Sequence, residues 1–283
     1  MTARTDAVVV NFNAGEWLAR CALSLLKEPA VAALTVVDNG STDASMTGLP
    51  EDPRVAVISN PDNRGYAAAA NQGAGAGSGE FLLFSNPDLE LVTGSLATLQ
   101  ELLDADPEVG IAGVQVVGPG GQEQRACRRR SPTPGRALIT MLGLEWLGLP
   151  GVNLRSSMPS VPQPLDGVSG ALLFVRRRCF EALGGFDEGY FLHCEDLDLF
   201  ERARAAGWKI LFVPQVTARH AKGISQRGRR LASEAAKHRG MVRYYRRFHA
   251  ASWPRGLRWL WPALVGARFA LFSPFWWAAD RLR

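Results

Sequence analysis

The N-terminal part of the chain alternates short apolar runs with helical stretches, and a polar cluster follows each run. The runs fall at residues 7–12, 34–37, 55–59 and 81–85. Helical stretches occupy residues 16–27 and 66–76, the second Ala-rich with Asn71 and closed by Gly73, Gly75, Gly77 and Gly79. Thr93 is a candidate N-cap for a helix over residues 94–104, and residues 109–117 read as a further strand. Strands alternating with helices predict an α/β fold, a mostly parallel sheet with helices on both faces. Ligands of such sheets bind beyond the carboxyl ends of the strands. The clusters at residues 11–15, 38–43, 60–66 and 86–90 each follow a strand directly, so they gather on one edge as a binding site.

Beyond Gly118-Pro119-Gly120-Gly121, residues 125–165 are rich in Arg, Pro, Gly and Ser and include Arg128-Arg129-Arg130. They read as a long excursion holding one short helix over residues 137–147. Order returns at Asp166-Gly167-Val168-Ser169-Gly170, a small-residue turn feeding a strand. Residues 195–206 read as a helix ending at Gly207, with Glu195, Asp196 and Asp198 in its first turn, where the helix dipole favours anions. A carboxylate there, after Tyr190-Phe191-Leu192, can accept a proton from a hydroxyl. Acids at a helix start are also ordinary capping residues.

A chain of 283 residues with 47% hydrophobic side chains holds one large or two ordinary domains with a sizeable core. The four cysteines, Cys21, Cys127, Cys179 and Cys194, are scattered without a CxxC pair, which suits a reducing compartment. Met1 to Asp6 lead into the first strand without the basic and long apolar segments of a signal peptide.

The clusters carry recognisable chemistry. Asp38, followed by Asn39-Gly40-Ser41, can accept a hydrogen bond from a nucleobase imide while the turn's amides face a phosphate or ribose; a plain turn uses the same residue types. In Asn86-Pro87-Asp88, a carboxylate and an amide oxygen can hold a divalent cation together with diphosphate oxygens, although loops that start helices look alike. His220 lies 24 residues after Asp196, far enough for one helix and one strand to return it to the same edge. Carboxylate and imidazole together suit Mn2+ or Mg2+.

Taken together, the motifs resemble a known family. Val8-Val9-Val10-Asn11-Phe12-Asn13, Val36-Val37-Asp38-Asn39-Gly40-Ser41-Thr42-Asp43, Asn63-Arg64-Gly65-Tyr66 with Asn71, and Phe84-Ser85-Asn86-Pro87-Asp88 are similar to the nucleotide half of family 2 inverting glycosyltransferases, nearest the rhamnosyltransferase-like branch. Ser169-Gly170-Ala171, Gly184-Gly185-Phe186-Asp187-Glu188, His193-Cys194-Glu195-Asp196 and Ala206-Gly207-Trp208-Lys209 resemble its acceptor half. The resemblance implies a GT-A fold, a dTDP- or UDP-sugar donor, a divalent cation (Mg2+ or Mn2+), and a glycan or lipid-linked glycan acceptor. It implies that Asn11, Asn13, Asp38, Asn39, Gly40, Ser41, Asn63, Arg64, Gly65, Asn71, Asn86 and Asp88 bind the nucleotide sugar. Asp88 and His220 would hold the metal, Asp196 would be the catalytic base, and Ser169, Gly170, His193, Glu195 and Trp208 would meet the acceptor. Asn86 replaces the first acid of the usual Asp-X-Asp pattern, which leaves an inactive nucleotide-sugar-binding relative as a second reading. The implied division is a catalytic domain over residues 1–222, with nucleotide and acceptor halves meeting near residue 117, and a tail over residues 223–283.

The net charge of +5 conceals a split. Residues 219–283 hold 15 Lys or Arg against 2 acids, a balance of +13, and five of the eight tryptophans. Basic residues interleaved with Trp and Phe suit an anionic membrane surface. Nucleic acid is not expected, because no motif for it accompanies the patch. Residues 259–279 form an apolar run about long enough to span a bilayer. Arg268 at its centre, and Pro262 and Pro274 within it, favour a pair of short interfacial helices instead. The expected location is cytoplasmic, peripheral on the inner face of the membrane. A tail helix packed on its own domain or on a second copy of the chain is the alternative, and a membrane-associated scaffold is the third functional reading.

Overall fold

The fold, a computed structural model that describes residues 4–221 and 229–282, is built on one sheet of nine strands. Strands β1 (Thr5–Asn11), β2 (Val31–Asp38) and β3 (Val55–Ser59) lie side by side with β4 (Phe81–Ser85) next to β1, all parallel. The connections are α1 (Trp17–Leu26) and α2 (Tyr66–Ala74). β1 and β4 are buried along their whole length, which is why both read as unbroken apolar runs. β3 is the exposed edge. Gly73 lies inside α2, not beyond it. A Cβ there would come within 2.4 Å of the Val8 side chain, so the glycine lets helix and strand approach closely.

After β5 (Leu89–Leu91) come α3 (Ser95–Ala105) and β6 (Val109–Val117). Gly94, with φ +88°, is the N-cap of α3 in place of the expected Thr93. The excursion contains β7 (Arg128–Arg129), α4 (Pro134–Met141) and β8 (Gln163–Pro164). α4 begins earlier than expected because Thr133 caps it and Pro134 opens its first turn. β9 (Gly167–Val168) pairs with β7, and β10 (Leu172–Arg176) inserts antiparallel between β4 and β6. Then follow α5 (Arg177–Ala182), α6 (Glu195–Ala205) and β11 (Lys209–His220). β11 runs parallel to β6, and its register shifts between Val213 and Thr217, so Pro214 sits in a bulge where no ladder donor is needed. The end of β11 pairs with β5, opposing His220 to Leu89. The four cysteines are free and buried.

The tail forms α7 (Arg230–Phe248) and α8 (Leu260–Arg281). α8 is one helix of 22 residues, not two short ones. Pro262 falls in its first turn, where no intrahelical N–H is required, and Pro274 is carried inside. α8 returns against α7: the Asp280 carboxylate accepts from the Arg230 and Leu231 amides, and Tyr245, Trp261 and Val265 form a small core. Arg268 faces His238 at 2.7 Å. α7 in turn packs on α6 and the loop before it, through Tyr244 to Glu201 and Arg247 to Asp198. The expected boundary at residues 222/223 lies outside the described residues. Among the described residues no helix is long and apolar enough to cross a membrane.

Candidate active site

Three strand ends build the first half of the site. Asn11 and Asp38 are paired across β1 and β2, and Asn11 Nδ2 donates to Asp38 Oδ1 at 2.9 Å and to Ser45 Oγ at 2.9 Å. The Ser41 amide donates to Asp38 Oδ2. Asn13, in the left-handed region at φ 53°, accepts from the Thr42 amide at 2.8 Å. Asn39 bridges onward, accepting from Asn60 Nδ2 and donating to the Gly65 carbonyl and to Asn63 Oδ1. Gly40 and Gly65 both have positive φ, and a Cβ at Gly65 would lie 2.6 Å from the Phe191 carbonyl. That contact, with Tyr66 N donating to Phe191 O at 2.7 Å, seats the loop of residues 60–66 against the loop leading to α6. Arg64 is exposed in the same loop. Asn11 Oδ1 is buried without a partner.

At the end of β4 and β11, His220 Nε2 lies 3.0 Å from Asp88 Oδ1 and 3.4 Å from Asn86 Nδ2. Gln124 fixes the imidazole. Its Nε2 donates to the His220 carbonyl at 2.7 Å, so its Oε1, 3.0 Å from Nδ1, must be the acceptor there. Nδ1 then carries the hydrogen, and Nε2 is the ring nitrogen that faces the Asp88 carboxylate. The two groups form an ion pair when the ring is protonated, and when it is not, the nitrogen and the carboxylate oxygen can turn to one cation together. The donor set therefore fits a divalent ion, with the pair supplying two ligands and phosphate oxygens the remainder. Among the described residues no group of three or more His, Cys, Asp or Glu gathers into a site made by protein alone.

The second half comes from α6. The Asn86 backbone N–H donates to the Ala171 carbonyl at 2.9 Å, which brings the Ser169-Gly170 turn to the Asn86-Pro87-Asp88 loop. A Cβ at Gly170 would lie 2.5 Å from Asp196 Oδ2, so the missing side chain is what admits that carboxylate. Ser169 Oγ accepts from the Ala171 amide. Arg129 Nη1 donates to Asp196 Oδ2 at 2.9 Å, and the Leu197 amide to Oδ1 at 2.8 Å. The antiparallel β7–β9 pair, with Arg129 opposite Gly167, carries the arginine there.

The three acids of the α6 first turn are not equivalent. Asp198 is fully buried between Arg202, Arg247 and Tyr190, a structural role that leaves it no access to a substrate. Burial and the negative charge of Asp196 push the Glu195 carboxyl up to about 8, and its Oε2 has no partner. Glu195 thus holds its proton more strongly than a free carboxyl does, whereas Asp196 is oriented by Arg129 and the Leu197 amide. Because the folded value lies above the ordinary 4.5, the contribution of protonated Glu195 to stability is fully present below about 4.5 and is lost as pH rises through about 8. Glu195→Gln should therefore melt at a higher temperature than the wild type at pH 8 and show a smaller difference at pH 5, as read by thermal denaturation across that range.

Three expected residues stand apart. Trp208 lies beyond the far end of α6, about 16 Å of helix from its start, stacked under Arg178 beside Gly110. It does not meet the acceptor edge. Asn71 spends its amide on the Phe186 backbone, donating to the carbonyl and accepting from the N–H, both at 2.9 Å, so it ties α2 to the Gly184–Glu188 turn. His193, at φ 69°, points to Ser233 of α7 at 3.1 Å, and burial brings its ring down to about 4, hence neutral. Two residues join the site unforeseen, Arg129 and Gln124, and Tyr66 of the 60–66 cluster is buried there, its hydroxyl pushed up by burial first and then by the charges of Glu195 and Asp196. The Arg128-Arg129-Arg130 triplet was the one available signal; Gln124 gave none.

A mostly parallel sheet with an inserted antiparallel strand, polar loops gathered at the strand ends and a carboxylate beside them from a helix start define a GT-A type glycosyltransferase fold. The profile described as Glycosyl transferase family 2 matches residues 6–180, and that described as Glycosyltransferase like family 2 matches residues 163–241. The N-acetylglucosaminyl-diphospho-decaprenol L-rhamnosyltransferase of Mycobacterium tuberculosis is 31% identical over 276 residues, 92% of this chain and 89% of that protein. The rhamnosyltransferase WbbL of Escherichia coli is 26% identical over half of this chain and 52% of its own. Among solved structures, the mannosyltransferase PcManGT of Pyrobaculum calidifontis, in complex with GDP-Man and Mn2+, superposes with a TM-score of 0.60 at 17% identity, over 100% of this chain and 74% of that one. The chain belongs to glycosyl transferase family 2 and is a glycosyltransferase.

Proposed function

We propose that the protein is an inverting rhamnosyltransferase that moves L-rhamnose from a dTDP-linked donor to a hydroxyl of a lipid-linked N-acetylglucosaminyl diphosphate in cell-surface polysaccharide synthesis. The observation that carries the chemistry is the meeting of two halves at one edge: the Asp88–His220 pair, and Asp196 admitted by Gly170. The sugar and acceptor follow the rhamnosyltransferase that matches nearly the whole chain. Asp38, which Asn11 holds in place, would accept the thymine imide N–H. Asp88 and His220 would hold a divalent cation, which when bound offsets charge developing on the leaving diphosphate. Asp196, held by Arg129 and the Leu197 amide, takes the proton of the acceptor hydroxyl as its oxygen attacks the anomeric carbon and the diphosphate departs from the opposite face. One base and no enzyme nucleophile give inversion. Nucleotide sugars offered in turn with a short-chain prenyl-diphosphate N-acetylglucosamine acceptor test this. dTDP-L-rhamnose should give the fastest transfer; preference for a UDP-hexose would overturn the donor reading.

The same proposal places the enzyme peripherally on the cytoplasmic face of the membrane. α8 leaves Leu264, Leu271, Phe275 and Trp277 exposed, with Leu271 and Phe275 at 66% and 69%. Basic side chains contribute about 1 kcal/mol each at an anionic surface and are screened by salt, whereas apolar burial is not. Co-sedimentation with phosphatidylglycerol vesicles should therefore weaken yet persist as salt rises. Complete release by salt would remove α8 from the contact, and binding unaffected by salt would remove the charge.

A further inference from the structure

The turn Leu144–Leu147, which follows α4, holds an apolar surface that the described residues leave uncovered. Trp146 is 75% exposed, and Leu142, Leu147 and Leu149 beside it are exposed as well. The turn is firmly held. Beneath it the buried Glu145 carboxylate accepts from Thr140 at 2.8 Å, from Asn153 at 3.2 Å, and from Arg125 and Arg155. Four donors on one carboxylate fix the backbone on either side of Trp146, so little ordering remains to be lost on contact. Ala137, Leu138 and Met141 of α4 pack on the Tyr245, Trp261 and Val265 core. Leu142 follows Met141 directly, which sets the turn at the same end of the helical tail as exposed Trp259, Leu260 and Leu264. Residues 130–165 contain one acid, Glu145, and residues 250–279 contain none. Since Glu145 is buried between two arginines, these segments present no carboxylate to solvent, whereas Arg125, Arg155, Arg255 and Arg258 are all exposed.

We infer that the Trp146 turn is a second membrane contact, inserting into an anionic bilayer beside α8. Indole and leucine side chains suit the boundary between headgroups and acyl chains, and a rim of arginines without an exposed acid matches phospholipid phosphates. The turn is also joined to the base. Asn153, which binds Glu145, is bridged to Arg129, and Arg129 holds Asp196. Insertion here keeps the acceptor half of the site close to the lipid surface, where a lipid-linked acceptor resides. This contact rests on the peripheral membrane reading proposed above.

The four native cysteines are buried, so a cysteine introduced at an exposed position takes a label selectively. Trp146→Cys in the full chain, labelled with an environment-sensitive fluorophore, should shift to the blue when phosphatidylglycerol vesicles are added. Leu264→Cys on α8 should do the same, and Val57→Cys on the exposed edge strand β3 should not. A shift for Leu264→Cys without one for Trp146→Cys would overturn the second contact and leave the membrane reading standing. No shift for either would overturn the membrane reading, and this contact with it. A shift for all three would show adsorption without a preferred face, which also overturns it. In unlabelled protein, Trp146→Glu/Leu147→Glu should melt like the wild type, both side chains being exposed, and bind the vesicles about tenfold or more weakly. Equal vesicle affinity would overturn the contact. A dimer in lipid-free buffer that this variant dissociates would overturn lipid as the occupant in favour of a second copy of the chain.

Discussion

Asp196→Asn is expected to lower sugar transfer by about 10³-fold, within the range general-base removal costs, while leaving donor affinity within twofold or so. The amide keeps the shape and the contact from Leu197 N but cannot take a proton, and it loses half of the ion pair with Arg129. Glu195 is a poor substitute, since burial raises its carboxyl and leaves it out of reach, and Asp198 is enclosed by Arg202, Arg247 and Tyr190. Single-turnover transfer measured beside donor calorimetry separates the two effects. Near wild-type turnover would remove Asp196 from the base role.

The second large effect concerns the cation. Asp88→Ala and His220→Ala should each abolish the Mn2+-dependent part of donor binding and lower transfer by about 10²-fold or more, since each removes one of the two ligands proposed here. Gln124→Leu, which frees the imidazole to take its other tautomer, should weaken metal affinity by about tenfold or more without touching any ligand. Calorimetric titration of donor with and without Mn2+ reads all three. Transfer that survives EDTA undiminished would defeat the assignment of both ligands together.

Much of this site is legible in the residues alone because strand ends in a parallel sheet are fixed by local pattern. Asn11, Asp38 and Asn86 each follow an apolar run, and register alone brings them to one edge. The rest is hidden for identifiable reasons. β7, β8 and β9 are two residues long, too short for any periodicity, yet β7–β9 pairing is what delivers Arg129 to Asp196. Gln124 meets His220 across 96 residues, a contact no local rule anticipates. Trp208 shares a motif with the acceptor half, but an intervening helix carries it to the opposite edge. The prolines of α8 suggested a broken helix because the value of a proline depends on its turn, and Pro262 falls where its missing N–H costs nothing.

The central claim is tested most directly by the configuration of the new linkage. With a β-linked dTDP-L-rhamnose donor, Mn2+ and a prenyl-diphosphate N-acetylglucosamine acceptor, NMR of the isolated product should show an α-L-rhamnosyl bond, formed by the wild type and not by Asp196→Asn. A β-linked product, or an α-linked product formed at equal rate by both proteins, would contradict a single displacement driven by Asp196.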